Sequence, residues 1–203
     1  MISAFDFEKD YVLEDRCVLL RPLSESDCDN LLEFSLNEPE TWKYGVVTAA
    51  GADNLKFYIH HALHERNNKR EYAFIVFDKR TNEYAGSTRF YDIQLAKQTL
   101  QLGYTWYGSR FRGTGLNAHC KFLLLSFAFE KMNMLRVEFR ADNTNYRSIA
   151  AMKKIGCIVE GELRKDVPKA DGTRRTSIIL SILKEEWENG VKENLKKQIS
   201  HLK

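Results

Sequence analysis

The stretch Arg110-Phe111-Arg112-Gly113-Thr114-Gly115 limits what this chain can fold into more than any other. It follows an apolar run, Leu100 to Tyr107 (LQLGYTWY), and precedes a second run rich in Leu and Phe, Asn117 to Met132. The first reads as a strand and the second as a helix. A strand that passes through two glycines into a helix leaves the first helical amides without partners and facing one point. Glycine keeps that approach clear of Cβ atoms, the helix dipole adds positive potential, and Arg110 and Arg112 add formal charge. Such a cradle suits a pyrophosphate. The same residues also suit a plain loop before a helix start, and residue type alone leaves both readings open. No Gly-Lys-Ser/Thr follows, so it is not a Walker loop, and no third glycine stands at the offset of a dinucleotide fingerprint.

The surrounding pattern places this loop in an alternation of strands and helices. Arg16 to Leu23 (RCVLLRPL) reads as a strand ended by Arg21-Pro22. Ser24-Glu25-Ser26-Asp27 resembles a capping box, with Ser24 as the cap, followed by Leu31, Leu32, Phe34 and Ser35 at helical spacing up to Asn37-Glu38-Pro39. Thr41 to Gly51 is loop-like, and Ala52 to Asn68 is a helix with Leu55, Ile59, Ala62 and Leu63 on one face. Tyr72 to Phe77 and Tyr84 to Ile93 form a hairpin across Asp78 to Asn82. Gly103 within the next strand points to a bulge or a close backbone approach. Leu135 to Arg140 is a strand, and Thr144 to Ile155 a helix closed by Gly156. Cys157 to Val167 and Thr173 to Leu183 are strands joined through Ala170-Asp171-Gly172, and Glu185 to Leu202 is a polar tail helix. The order β-α-α-β-β-β-α-β-α-β-β gives an α/β fold, a mixed sheet with helices on both sides.

Composition narrows the class. With 43% hydrophobic and 29% charged residues, the 203-residue chain has the balance of a globular protein, expected as one domain with a core over 15–184 and a tail helix over 185–203. Its 31 Lys+Arg against 28 Asp+Glu give +3, too even for nucleic acid as an obligatory partner. No apolar run nears the ~20 residues that span a bilayer, and the acidic start, Met1 to Asp10, is not read as a secretory signal. Cys17, Cys28, Cys120 and Cys157 form no CxxC and read as reduced thiols, which points to the cytoplasm.

Three ordered segments resemble one family. Arg110-x-x-Gly113-x-Gly115 between a strand and a helix is similar to the acetyl-CoA pyrophosphate loop of the GNAT N-acetyltransferases. Arg16-Cys17-Val18-Leu19-Leu20-Arg21-Pro22-Leu23 with Asp27 resembles the L-R-P-L-x-x-x-D opening of the RimJ/RimL-like branch. Asn145 to Gly156 resembles that branch's N-x-x-S-I and K-x-G-F. The resemblance covers roughly Arg16 to Leu183, and its joint order is more specific than any one motif. It implies a mostly antiparallel sheet with two splayed parallel strands, here Leu100 to Tyr107 and Leu135 to Arg140. It also implies direct acetyl transfer from acetyl-CoA to an amine, with no metal. By the same resemblance, Tyr104, Thr105 and Trp106 supply amides to the thioester, Gly113, Thr114 and Gly115 hold the pyrophosphate beside Arg110 and Arg112, and Asn145 contacts the pantetheine arm. Ser148 then serves the departing thiolate. Met152 stands where other members of the superfamily carry a tyrosine acid, and Gln101 where several carry a glutamate base.

Glu138 is the nearest acidic candidate for the base and Asp92 the second; a water chain or an amine of low pKa removes the need for either. Trp42 and Tyr44 are candidates to line an acceptor pocket. Asn145 also reads as an N-cap, Ser148 as an ordinary first-turn serine and Glu138 as a solvated strand residue. His60, His61 and His64 with Glu65 read as a solvated helix face rather than a metal site, and His119-Cys120 point about 100° apart on a helix, which disfavours a dyad. The acceptor is read as a protein N-terminal α-amine, with a small-molecule amine (polyamine, amino acid or aminoglycoside) and a non-catalytic acyl-CoA-binding module as alternatives. Membrane is not an expected partner, and there is room for a homodimer.

Overall fold

The computed structural model describes residues 5–169 and 172–200. Eight strands form one sheet in the order β1-β2-β3-β4-β5-β6-β8-β7. They are β1 (Leu13–Glu14), β2 (Val18–Pro22), β3 (Tyr72–Asp78), β4 (Glu83–Gln94), β5 (Thr99–Tyr107), β6 (Arg136–Asp142), β7 (Ile158–Pro168) and β8 (Arg174–Leu183). Neighbours run antiparallel except β5 and β6, which are parallel. Helices α1 (Asp27–Asn37), α2 (Ala52–Asn67), α3 (Leu116–Ser126) and α4 (Tyr146–Lys154) complete the alternation, with a C-terminal segment holding α5 (Lys184–Glu186) and α6 (Lys192–Ser200). No described helix is long and apolar enough to cross a membrane.

Side-chain alternation along β5 puts the helices on opposite faces. Tyr104 accepts a hydrogen bond at its carbonyl from Tyr58 of α2, and Trp106 packs on Phe34 of α1. Thr105 instead meets Lys121 of α3, and the Tyr107 hydroxyl donates to Asn117 of α3. One core cluster runs through both faces, from Leu20, Phe74 and Phe90 to Leu124, Val137 and Leu180.

The expected elements form close to their predicted bounds, with three differences. The two-residue β1 pairs with β2, too short to leave a period in the sequence. The tail is not one helix: a π-type turn over Trp187–Val191 breaks at Gly190, where the backbone leaves helical angles. Leu202 and the Ala170-Asp171 part of the expected turn lie outside the described residues.

The third difference concerns the start of α1. Ser24 does not cap the helix amides. Its N–H and hydroxyl both donate to Asp27 Oδ2, at 2.8 and 2.9 Å. Arg21 donates to both oxygens of Asp27, at 2.8 and 2.6 Å, and Asn30 adds a bond at 2.8 Å. The Arg21 guanidinium also donates to the Pro22 carbonyl and the Tyr84 hydroxyl. A fully buried carboxylate needs such a set of partners. The Arg-Pro-Leu-x-x-x-Asp spacing therefore builds a clamp that joins β2, α1 and β4.

Burial pushes the Asp27 carboxyl up, but the bonds from Arg21, Ser24 and Asn30 outweigh it and hold the group below the usual carboxylate range. A carboxylate held low contributes stability above its unfolded pKa of ~3.9 and loses it as pH falls through the lower folded value. Asp27→Asn should cost about 2–4 kcal/mol in urea unfolding at pH 7, since it leaves Arg21 partly buried and unpaired. The gap between wild type and variant should close on acidification below pH ~4. A gap that stays constant with pH would remove the charge from the account.

Candidate functional site

Three short parallel register pairs hold β5 to β6: Thr99 with Arg136, Leu100 with Val137 and Gln101 with Glu138. Beyond them each strand follows its outer neighbour. β5 continues against β4, with Gly103 opposite Arg89 and Trp106 opposite Ser87, while β6 continues against β8 from Phe139 to Asp142. The edge of β5 that faces β6 has no strand partner from Leu102 onward among the described residues, although side chains engage some carbonyls of this stretch, Thr105 Oγ1 that of Gly103 and the Tyr58 hydroxyl that of Tyr104. The register slips between Ser87 and Arg89, where three steps on β5 oppose two on β4. Tyr104 absorbs this bulge with a left-handed φ of 47°. A bulge of this kind re-aims side chains and ends pairing. Gly86 permits the close approach beside it: a Cβ there would fall inside contact distance of the Trp106 carbonyl oxygen and 2.9 Å from Tyr107 Cα.

The glycine loop lies past the end of β5. Gly113 and Gly115 have φ of 78° and 87°, angles that exclude most side chains. A Cβ on Gly113 would meet nothing within 4 Å, so the loop faces open space. Among the described residues, no group accepts a hydrogen bond from the amides of Gly113, Thr114 or Gly115. The Thr114 hydroxyl donates back to the Phe111 carbonyl, and Arg80 Nη1 donates to the Thr114 carbonyl at 2.9 Å.

The two predicted arginines are more engaged than expected. Arg112 donates to the Tyr107 carbonyl at 2.9 Å and to Thr41 Oγ1 at 2.6 Å, so it braces the loop against the Thr41 segment. Burial and the nearby Arg147 lower its pKa, opposed by Glu38. Arg110 pairs with Glu83 at 2.8 Å and lines a cleft of about 350 Å3 together with Asp78, Arg80, Thr81, Phe111 and Thr114. Arg80 and Arg147 escape the sequence reading, because only the fold carries them to this loop.

Helix α4 delivers the next pair of residues. The Asn145 carboxamide oxygen accepts the Ser148 N–H at 3.1 Å, the N-cap geometry. Its Nδ2 enters no hydrogen bond within the described chain, and Ser148 is half-buried one turn on. Met152 is buried. Lys121, near the middle of α3, is only 5% exposed. The sequence reading passes over it because it sits in an otherwise apolar helix.

The α2 face of the sheet carries a cleft of about 440 Å3 lined by His61, Glu65, Arg70, Glu71, Tyr91, Asp92 and Tyr104, among others. Gln101 donates to Asp92 Oδ2 at 2.9 Å, and Gln94 donates to Oδ1 at 2.8 Å. Gln101 thus presents a carboxylate in place of being one. Arg89 is buried, paired with Glu71 at 2.6 Å and sandwiched by the rings of Tyr58 and Tyr104. Burial raises the pKa of Tyr91 and Tyr104, so both hydroxyls stay protonated.

Glu138 is bracketed by Arg136 at 2.8 Å and Arg140 at 2.7 Å. Both Glu138 oxygens are thus taken by guanidinium donors, whereas the Asp92 oxygens are held by two neutral amides. Trp42 and Tyr44 are not brought together. Trp42 is buried, edge-on to Trp106 at 5.0 Å, and both indole N–H groups lack acceptors among the described residues. Tyr44 is at the surface under Lys43. His119 bonds to Asp15 at 2.5 Å rather than to Cys120, His60 meets Glu25 at 3.1 Å, and the four cysteines are free.

The family model described as an acetyltransferase (GNAT) domain matches residues 18–158. The "Putative ribosomal N-acetyltransferase YdaF" of Bacillus subtilis is 26% identical over 179 residues, covering 84% of this chain and 93% of the relative. A crystal structure named as a "putative acetyltransferase from T. thermophilus" superposes at a TM-score of 0.84, with 30% identity over 97% of this chain and 98% of that one. A ribosomal-protein-S5-alanine acetyltransferase from Vibrio fischeri shares the fold at a TM-score of 0.70, with 18% identity over 88% of this chain and 99% of the other.

The close approach at Gly86 yields a test of the bulge. Gly86→Ala should lower stability by roughly 3 kcal/mol or more, because backbone atoms of Trp106 and Tyr107 would have to move. Urea unfolding reads the loss. A cost near that of an ordinary exposed-strand substitution would show that the bulge is not held by this contact.

Proposed function

We propose that this chain, which belongs to the GNAT acetyltransferase family, transfers an acetyl group from acetyl-CoA directly to the α-amino group of a protein. The observation that carries the reading is the unpaired edge of β5 beyond Gln101, with the partnerless amides of Gly113, Thr114 and Gly115 past its end. An extended pantetheine arm matches the edge, and a pyrophosphate matches the amides. The coenzyme supplies an activated acetyl thioester. The amides of the Tyr104–Trp106 bulge are the donors in reach of the oxygen on which charge develops. Asn145 keeps its Nδ2 for the arm while its oxygen caps α4. Ser148 offers its hydroxyl to the departing sulphur as a hydrogen-bond donor.

The acceptor enters on this reading from the cleft on the α2 face. Asp92, held by Gln94 and Gln101, takes the proton that the amine loses. The cleft sets Glu65, Glu71 and Asp92 against Arg70 and the buried Arg89. Such a mixed field does not single out a polycation. An α-amine, with an unperturbed pKa near ~7.8, is far more often neutral at pH 7 than lysine at ~10.4. The relatives named for ribosomal proteins support a protein amine, with a ribosomal protein as the first acceptor to try.

Incubation with acetyl-CoA and a peptide bearing a free N-terminus and an internal lysine tests this directly. Mass shift at the N-terminus with equal release of free CoA is expected; modification of lysine alone would redirect the acceptor. Coenzyme binding without transfer to any amine would leave a binding module. Gly113→Val should weaken CoA binding more than tenfold by calorimetry, about 1.4 kcal/mol or more, through the strained φ and a Cβ in the phosphate path. Ser148→Ala should lower kcat with little change in KM for acetyl-CoA. Asp92→Asn should cost most in kcat/KM at pH ~6.5, where the amine is charged, and least above pH ~9, where it is already neutral. A pH-independent loss would exclude Asp92 as the base.

A further inference from the structure

We propose that Lys121 receives the departing sulphur of coenzyme A, its ammonium standing in the gap between β5 and β6 as ion-pair partner and proton donor to the thiolate. This rests on the coenzyme reading above and adds a residue that the family match does not assign.

Lys121 Nζ donates to Thr105 Oγ1 at 2.9 Å and lies 5.8 Å from the ring centroid of Phe139. Thr105 is on β5 beyond Gln101, and Phe139 is on β6 directly after Glu138, the last paired register. The ammonium therefore touches both walls of the gap where they have parted. Thr105 is also the residue after the bulge at Tyr104.

Lys121 is 5% exposed, and no carboxylate lies within ion-pair distance among the described residues. An ammonium has three donors, and only one is used here. A buried cation without an anion is costly to keep, and this fold keeps one beside the single parallel pair of its described sheet. The titratable groups facing Nζ are two thiols, Cys120 on α3 and Cys157 ahead of β7. Burial lowers the lysine pKa to about 8, with the two thiols opposing. That value lies near the ~8.5 of a thiol, where proton exchange between the two is most evenly balanced.

A thioether at Met152 has no proton to give. The Ser148 hydroxyl can donate a hydrogen bond but does not yield its proton to a thiolate of far lower pKa.

In the step itself, the amine nitrogen forms its bond to the acetyl carbon. The carbon–sulphur bond breaks with its electron pair on sulphur. The Lys121 ammonium holds that thiolate as an ion pair, gives it one proton as the coenzyme departs and becomes a neutral amine. The proton released by the acceptor, taken first by Asp92, passes to solvent, and solvent returns one to Lys121. The products are the amide and the free thiol of CoA.

The test is the titration of the thiol of bound CoA, followed by thiolate absorbance against the same protein saturated with desulfo-CoA, which cancels the protein's own cysteines. Wild type should lower the thiol pKa by about one unit or more from the value that free coenzyme gives in the same buffer. Lys121→Met should abolish the shift and weaken CoA about tenfold at pH 8 while leaving desulfo-CoA within about twofold. Lys121→Arg should keep most of the shift but lose turnover, since guanidinium does not release its proton. Ser148→Ala should keep the shift. A wild-type thiol that titrates as in free coenzyme overturns the proposal, whether or not the methionine variant folds. So does an undiminished shift in Lys121→Met. Binding of both coenzymes with no shift sinks Lys121 alone. Binding of neither to wild type removes the coenzyme reading and this proposal with it.

Discussion

Everything at the candidate site follows from two parallel strands that stop pairing. β5 and β6 share three register pairs and then part, each held by its outer neighbour. Unpaired strand edges are normally covered, because free peptide groups are costly when dry and adhesive when wet. Here the edge lies inside the sheet, between β5 and β6. The parted strands thus define the shape and hydrogen-bonding pattern of an occupant before any side chain is considered.

The rest of the molecule holds that opening in place. On one side, the Arg21–Asp27 clamp fixes α1 to β2 and β4, and Phe34 of α1 packs on Trp106. Beside the bulge, the Arg89–Glu71 pair with Tyr58 and Tyr104 anchors β5 to α2. On the other side, α3 carries the glycine loop at its start and Lys121 about one and a half turns later. On the proposed reading, one helix addresses both ends of an extended ligand, its N-terminus toward anionic oxygens and its buried ammonium toward the sulphur. The two clefts lie in different parts of this frame: one beside the loop at Thr114, the other against Tyr104 on the α2 face. This division suits a coenzyme and an acceptor that approach from different sides.

Most of the element order is legible in the sequence because each element carries its own period. The Leu100–Tyr107 strand, the Asn117–Met132 helix and the glycine loop between them need only local information. What is not legible depends on partners brought together by topology. Asp27 sits four residues after Leu23, yet its Arg21 clamp requires the strand-to-helix turn to fold back. Asp92 and Gln101 are joined across the β4–β5 register, where Tyr91 stands opposite Gln101. Glu138 reads in the sequence as a free strand carboxylate, and in the fold two arginines of its own strand close on it. Lys121 offers one sequence signal, a lysine on the buried face of an apolar helix, and composition averages it away. The break at Gly190 is hidden in the same way by a polar tail.

The most direct measurement of the central claim is amide hydrogen exchange with and without acetyl-CoA. If the parted strands and the glycine loop hold the coenzyme, its addition should slow exchange at residues 102–106 and 113–117 together, while the outer strands β1 and β7 stay unchanged. Protection confined to the cleft of Glu65, Glu71 and Asp92, or absent from both segments, would contradict the account.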